Sequence, residues 1–181
     1  MRILEAAARL FAERDPNQVT MDEIARAAGV GRGTLYRRYP DRAAIAAALL
    51  DEHERAIQEE LLRGAPPLGP GAPPADRLAA FYGAMVKLLE QHAHLVLGTE
   101  VGRSRFVTGA YGFWRIHVRT LLVAAQVPDP DRLLDILLAP ISPDVYLQQR
   151  VNLNYSPERI TGALSYLARQ ITAAPTVEPE P

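Results

Sequence analysis

The spacing of apolar residues along the chain predicts an all-helical protein. In residues 2–13 apolar side chains recur every three or four positions, and charged side chains occupy the opposite side. The same spacing predicts further helices at residues 21–28, 32–38, 41–63, 76–92, 106–127, 131–153 and 156–172. No segment alternates apolar and polar residues in the manner of a half-buried strand, and no internal repeat is visible. With one short segment between residues 92 and 106, the expected fold is all-α with roughly nine helices.

Local signals divide the first three helices. Pro16 disfavours helix in the residue before it and ends the first helix. Thr20 and Glu23 have the spacing of a capping box, in which each residue's side chain bonds the other's backbone amide. Gly29 can adopt the left-handed conformation that turns the chain between the second and third helices. Together these signals predict a three-helix unit of the helix-turn-helix kind.

The division of charge along the chain changes the meaning of its formal net charge of −1. Residues 1–47 hold eight arginines and six acidic residues, which gives +2, whereas the remainder is −3. Residues 31–42 hold four arginines and one aspartate, a local excess of +3. Such a cluster can serve as a phosphate-binding face.

Composition excludes several classes of protein. The absence of cysteine excludes disulfides and thiolate metal sites and is compatible with a reducing cytoplasm. The apolar stretch Ala43–Leu50 has eight residues, far fewer than the ~20 of a membrane span. Met1 runs directly into an amphipathic segment, so no signal peptide is expected. No nucleophile elbow, P-loop, Rossmann glycine set or zincin helix is present, so the chain is not expected to be an enzyme.

The run Thr20–Tyr39, TMDEIARAAGVGRGTLYRRY, resembles the signature of the TetR family of bacterial regulators. The resemblance implies a homodimeric cytoplasmic transcriptional regulator whose head binds double-stranded DNA and whose helical body binds an effector and carries the dimer interface. We expect a helix-turn-helix domain at 1–47, an effector-binding and dimerisation domain at 48–174 and a flexible tail at 175–181. The leading expectation is a repressor that binds a palindromic operator and is released by a small molecule.

The resemblance, carried over position by position, assigns eight residues to DNA. They are Thr20, Arg32, Gly33, Thr34, Tyr36, Arg37, Arg38 and Arg42. Thr20 and Arg42 lie at the starts of helices, where free amides and the helix dipole favour a phosphate. Either Arg32 or Arg37 is expected to address guanine in the major groove.

The remaining assignments leave alternatives open. Gly33 allows close approach of the helix to DNA, and Tyr36 can offer its hydroxyl to a phosphate or its ring to a thymine methyl. Arg38 either contacts DNA or stays solvated and pairs with Asp41. Tyr39 is interpreted as a packing residue beneath the third helix.

Two departures from the family pattern are visible. Gly31 stands where the family usually has a serine-like N-cap, and glycine caps less well. Family members also usually carry a basic arm ahead of the first helix, where this chain has only Arg2. A version extended upstream with basic residues is expected to bind DNA more tightly, with a steeper salt dependence.

The body of the chain contains two candidate sites. An aromatic-rich set predicts an effector pocket, with ordinary core packing as the alternative; it comprises Phe81, Tyr82, Met85, Tyr111, Trp114 and His117. Apolar residues of the last two helices are assigned to the dimer interface by the resemblance, with the core of one subunit as the alternative; they are Leu134, Leu137, Leu138, Ile160, Leu164 and Leu167.

No metal or other cofactor is predicted. His92 and His94, with Glu90 and Glu100 nearby, could suggest a metal site, but His-x-His at a helix end places the two rings on different faces. The main functional alternative is a helical small-molecule-binding or catalytic protein whose head is vestigial or contacts protein. A regulator without an effector is a third possibility.

Overall fold

A computed structural model describes residues 2–14, 18–98 and 109–173, without the side chains of 93–98 and 109. These residues form nine α-helices and no strand, which confirms the all-α prediction for this part of the chain. The helices are α1 (Arg2–Glu13), α2 (Met21–Ala28), α3 (Arg32–Arg38), α4 (Arg42–Arg63), α5 (Pro74–Gly98), α6 (Gly109–Ala124), α7 (Leu134–Leu138), α8 (Pro143–Leu147) and α9 (Pro157–Thr172). The predicted turn at 15–17, the segment 99–108 and the predicted tail at 175–181 lie outside the described residues.

Helices α1, α2 and α3 and the start of α4 share one small core. Ala6 and Ala7 are fully buried. Their small side chains let α1 pack close to its neighbours. The other buried members are Ile3, Val19, Met21, Ile24, Ala25, Ala28, Leu35, Ile45 and Leu49. The head is therefore a packed unit that ends in the first turns of α4.

A second core fills the rest of the chain around α5. This helix contacts α4, α6, α8 and α9. The largest fully buried side chains of this core come from α4, α5, α6, α7 and α8; among them are Phe81, Tyr82, Leu121, Leu137 and Tyr146. Helix α4 extends from the first core to the second, since Leu49 belongs to one and Leu61 to the other.

Two helix boundaries differ from the prediction. Helix α5 continues to Gly98 instead of ending near His92, because no proline or glycine interrupts that stretch. The single bent helix predicted for 131–153 is wrong. The segment is divided into a 3₁₀ turn (Pro130–Leu133), α7, a second 3₁₀ turn (Ala139–Ile141), α8 and a π-helical turn (Gln148–Asn152). Pro140 and Pro143 lack the backbone N–H that a continuous helix requires at their positions.

Among the described residues, no helix combines the length and the apolar character needed to cross a bilayer.

Candidate nucleic-acid interface

The turn between α2 and α3 has the geometry that its sequence predicts. The Thr20 hydroxyl accepts a hydrogen bond from the Glu23 amide at 3.2 Å, and the Thr20 amide donates to Glu23 Oε2 at 2.8 Å. Gly29 is left-handed, with φ 64° and ψ 35°. The amide of Val30 then donates to the Ala25 carbonyl at 3.0 Å, which closes the end of α2. The capping box and the glycine turn are confirmed.

Helix α3 presents one side to the core and the rest to solvent. Leu35 is completely buried, which anchors the helix on the head. The six residues of α3 predicted to contact DNA are all exposed: Arg32, Gly33, Thr34, Tyr36, Arg37 and Arg38. Tyr36 is 46% exposed, so its side chain is accessible to a partner. The structure thus leaves all six predicted α3 residues accessible to a partner.

Two acidic residues in the first turn of α2 hold residues predicted to contact DNA. Asp22 forms an ion pair with Arg32, and Glu23 pairs with Arg14 at 3.0 Å while also accepting from the Thr20 hydroxyl at 2.8 Å. Hydrogen bonds from Thr20 and then Arg14 lower the pKa of Glu23 to about 2. Glu23 therefore remains ionised at neutral pH. Sequence reasoning assigned the capping role to Glu23 but missed the contact between Asp22 and Arg32.

The start of α4 is fixed against the start of α2. Asp41 caps α4 by accepting from the Ala44 amide at 2.8 Å, and Arg42 Nη1 donates to the Val19 carbonyl at 3.1 Å. This bond joins the Arg42 side chain to the residue before Thr20, the other residue predicted to contact a phosphate. The Arg38 guanidinium lies 5.8 Å from the centre of the Tyr39 ring, and Tyr39 packs on the head core. The pairing of Arg38 with Asp41 is not among the ion pairs of the described residues.

The residues predicted to line an effector pocket cluster between α5 and α6. Phe81, Tyr82, Met85, Trp114 and His117 are buried, and Tyr111 is partly buried against the same core. The ring of Phe81 lies 5.8 Å from that of Trp114 and 5.4 Å from that of His117. The Tyr82 hydroxyl donates to the Leu137 carbonyl at 3.0 Å, and the Tyr111 hydroxyl donates to Asp135 at 2.7 Å. Only His117 leaves a buried atom of this set, Nε2, without a partner among the described residues.

The nearby surface groove uses other residues. It has a volume of about 600 Å³, lies between α5 and α9, and includes none of the six predicted pocket residues. It is lined by Gly83, Val86, Lys87, Glu90, Gln91, Pro157, Glu158, Thr161, Gly162 and Ser165.

The residues predicted for a dimer interface lie inside one subunit. Leu134, Leu137, Leu138, Ile160 and Leu164 are buried in the second core, and Leu167 packs against it. These side chains already face neighbours in their own chain, so they leave little surface for a partner. The same helices expose Ile136 and Tyr166, at 63% and 67%. A hydrophobic stripe identifies a buried side of a helix but not which chain buries it.

Among the described residues of the body, ion pairs with shared partners join α6 to α7 and α5 to α8, and sequence spacing did not indicate either. Arg115 and the Tyr111 hydroxyl both bind Asp135, which ties α6 to α7. Glu90 on α5 accepts from Tyr146 on α8 and from Arg150 at 2.9 Å. Both networks lie far along the chain from the head and serve the packing of the body.

Two buried histidines have ring nitrogens without a hydrogen-bond partner among the residues that the structure describes: both nitrogens of His92 and Nε2 of His117. The ring of His92 on α5 stacks on that of His53 on α4 with centroids 4.5 Å apart, and neither nitrogen of His92 has a partner among the described residues. Burial, and then the neighbouring His53, lowers the pKa of His92 to about 4. Burial, and then Arg77, lowers the pKa of His117 to about 4. The side chains of His94 and Glu100, considered with His92 for a metal, lie outside the described residues.

Acidification is expected to destabilise the fold through these histidines. Their folded pKa values lie below the ordinary 6.5, so between pH 6.5 and 4 the unfolded chain binds protons that the folded chain does not. Stability is therefore retained above pH 6.5 and falls as the pH drops through that window. Glu54, whose pKa burial raises to about 7, acts in the opposite direction and offsets part of the loss. Together, the two histidines and the opposing Glu54 are expected to lower the free energy of unfolding by up to about 3 kcal/mol on acidification.

Urea unfolding followed by circular dichroism at pH 7, 6 and 5 measures this dependence. In the double variant His92→Phe, His117→Phe the acid-induced loss should disappear, because phenylalanine binds no proton. Stability should instead rise as the pH falls from 7 to 5, since Glu54 alone then acts in this window. An unchanged slope in the double variant would show that other groups cause the acid sensitivity.

Comparison with known proteins places the head in a family. Residues 3–49 match the family described as bacterial regulatory proteins, tetR family. An uncharacterized HTH-type transcriptional regulator of Mycobacterium tuberculosis is 46% identical over 61 residues, which is 34% of this chain and 30% of that protein. The matched segment thus spans less than a third of that relative. The N-terminal domain is a TetR-family helix-turn-helix domain.

Solved structures extend the likeness to the whole fold. A transcriptional regulator from Rhodococcus sp. superposes with a TM-score of 0.70 at 19% identity, over 94% of each chain. The transcriptional regulator FadR from Bacillus subtilis, in complex with stearoyl-CoA, has a TM-score of 0.69 at 18% identity, over 93% of this chain and 96% of that one. At such identities the likeness shows a common fold: an N-terminal helix-turn-helix domain followed by a helical domain.

Proposed function

We propose that this chain, a TetR-family protein by its N-terminal domain, is a transcriptional repressor that binds a palindromic operator as a homodimer and is released by a small-molecule effector. One observation carries the proposal. Helix α3 is anchored by the buried Leu35 and exposes every predicted DNA contact on it. A short helix fixed in this way can enter the major groove and present side chains to base edges.

The proposed contacts divide into two kinds. Thr20 and Arg42, at the starts of α2 and α4, bind phosphates and fix the register of the head on the duplex. Arg32 and Arg37 present guanidinium groups that can pair with guanine. Thr34 and Tyr36 are also exposed on α3 and contribute contacts to a base or a phosphate. The local positive charge of residues 31–42 supports this division, since phosphate contacts dominate affinity.

Dimerisation would bring two heads onto one duplex. Successive major grooves are ~34 to 36 Å apart on one face of DNA, so a symmetric pair of heads selects an operator with two related half-sites. The exposed apolar side chains Ile136 and Tyr166 on the last helices are available for this contact. We therefore place the interface on the outer surfaces of α7 and α9 and not on the buried leucines.

The effector site is proposed beside the aromatic cluster of Phe81, Trp114 and His117. Aromatic side chains are common in small-molecule sites, and the unpartnered Nε2 of His117 offers one polar group. One protein of similar fold, FadR from Bacillus subtilis, was solved in complex with stearoyl-CoA, which supports a small-molecule ligand for this fold. Helix α4 runs from the head into this domain and provides the connection between effector and DNA.

Fluorescence anisotropy with a labelled operator duplex tests the proposal. Saturation at two chains per duplex, with affinity that falls steeply with salt, is expected. Saturation at one chain, or equal affinity for operator and scrambled duplex, would refute a sequence-specific dimer. Thermal-shift screening then tests the effector, because a ligand of the folded body raises the unfolding midpoint.

Substitution of Gly33 by alanine is expected to separate stability from binding. Gly33 is exposed within α3, and a Cβ added there meets nothing within 4 Å. Alanine should therefore raise the free energy of unfolding by about 0.5 to 1 kcal/mol through its helix propensity. On DNA the added methyl occupies the space into which the duplex approaches, so operator affinity should fall. Chemical unfolding and anisotropy on the same sample measure both effects, and tighter operator binding would contradict the close approach at Gly33.

Gly31→Ala is the matched control for adding one methyl group near the interface. Gly31 precedes the helix, so alanine there should not raise the free energy of unfolding through helix propensity. Its added Cβ reaches only the Thr34 side chain, at 4.0 Å.

A further inference from the structure

The ion pair between Asp22 and Arg32 joins the starts of the two helices of the motif. Asp22 is the second residue of α2 and Arg32 the first of α3, so the pair crosses the turn between them. Arg32 donates from Nη2 to Asp22 Oδ2. The Arg32 side chain nevertheless stays 70% exposed, whereas that of Asp22 is 40% exposed. The contact therefore engages one nitrogen of the guanidinium, Nη2, and leaves most of the side chain exposed to solvent.

Asp22 takes no part in the other interactions that shape the motif. The capping box of α2 uses Thr20 and Glu23, and the turn uses Gly29. The second carboxylate oxygen of Asp22, Oδ1, is buried and has no hydrogen-bond partner among the described residues. An exposed ion pair contributes little stability, about 0 to 1 kcal/mol at most, so stability is a weak reason for the contact.

We infer that Asp22 is a positioning residue that orients Arg32 for base recognition; this rests on the DNA-binding function proposed above. An arginine side chain has many rotamers, and contact with a phosphate does not require one particular orientation of the guanidinium. Recognition of guanine needs two donors of one guanidinium directed at O6 and N7. The contact with Asp22 narrows the range of orientations of the guanidinium before DNA arrives, which reduces the entropy lost on binding. The carboxylate also offsets the positive charge of Arg32, which weakens its attraction to phosphates of any sequence.

Asp22→Asn tests this role, because asparagine keeps the shape of the side chain and removes its charge. The measured quantity is the specificity ratio, the dissociation constant for scrambled duplex divided by that for the operator. The variant should bind scrambled duplex more tightly and lose about five- to tenfold in specificity ratio, part of the discrimination of one bidentate base contact. Glu59→Gln, which breaks the exposed pair of Glu59 with Arg63 on α4, removes the same charge and should leave the ratio unchanged.

The same comparison in an Arg32→Ala background identifies the mechanism. Without Arg32 there is nothing for Asp22 to orient, so adding Asp22→Asn should not change the ratio further. An equal fall of the ratio in both backgrounds, or an unchanged ratio in the single variant, would overturn the inference. A merely structural role would lower both affinities together and leave the ratio constant, which would also overturn it. If Asp22→Asn does not fold, Asp22→Ser provides the same comparison, since serine is tolerated in a first helical turn.

The wild-type protein separates this inference from the function on which it rests. No sequence preference in the wild type would refute the proposed function and the inference with it. A clear wild-type preference that survives in Asp22→Asn would refute the inference alone.

Discussion

Replacement of Arg32 and Arg37 by alanine together is expected to lower operator affinity by about a hundredfold or more. Arg32 and Arg37 are both exposed on α3. A good bidentate contact from arginine to guanine contributes about 1 to 3 kcal/mol, and the weaker attraction of the less charged head to phosphates adds to this effect. The stability of the head should change little, because both side chains are exposed and Leu35, not the arginines, anchors α3. Anisotropy at fixed salt measures the affinity, and thermal unfolding verifies the fold.

The control for this double variant lies on the adjoining helix. Arg55 and Arg63 on α4 are exposed and pair with Asp51 and Glu59, so their replacement by alanine removes the same charge away from the proposed interface. That variant should lose only a small factor in affinity, through the weaker overall field. Wild-type affinity in the Arg32→Ala, Arg37→Ala variant would instead favour a helical small-molecule-binding or catalytic protein with a vestigial head.

Leu137→Ala is expected to cost about 3 to 5 kcal/mol of folding free energy. Leu137 is completely buried between α7 and the rest of the second core, and its carbonyl accepts the Tyr82 hydroxyl. Removal of its isobutyl group leaves a cavity where the surrounding helices cannot close fully. Urea unfolding at two protein concentrations measures the loss. Because the side chain packs within one subunit, the destabilisation should be the same at both concentrations.

The neighbouring residue provides the matched control. Ile136 is 63% exposed, so Ile136→Ala should change subunit folding by about 0.5 kcal/mol or less. If Ile136 belongs to the proposed interface, its replacement weakens dimerisation in sedimentation experiments. If Leu137→Ala instead weakened association and left subunit folding unchanged, Leu137 would belong to the dimer interface, as the family resemblance implies.

The head could be predicted from sequence because its structure depends on local signals. The capping box of Thr20 and Glu23, the left-handed Gly29 and the buried Leu35 each act within a few residues of the chain. Their effects do not depend on which helices pack elsewhere. The exposed face of α3 then follows from the 3.6-residue period alone.

The body was harder to predict because its contacts join distant residues. The stripe that contains Leu134 and Leu137 showed which side is buried but not that the same chain buries it. Pro140 and Pro143 signalled a bend, yet the number of short helices between residues 130 and 152 depends on packing against α5 and α6. The Asp22 to Arg32 pair spans ten residues and a turn, so no helical spacing indicates it.

Selection of bound sequences from random duplex DNA by the purified full chain tests the central claim most directly. The proposed function predicts enrichment of an imperfect palindrome, with half-sites placed for two heads on one face of the duplex and containing guanine within reach of Arg32 or Arg37. The Arg32→Ala, Arg37→Ala protein should enrich no such sequence under the same conditions. Recovery of unenriched DNA by the wild-type protein would contradict a sequence-specific regulator.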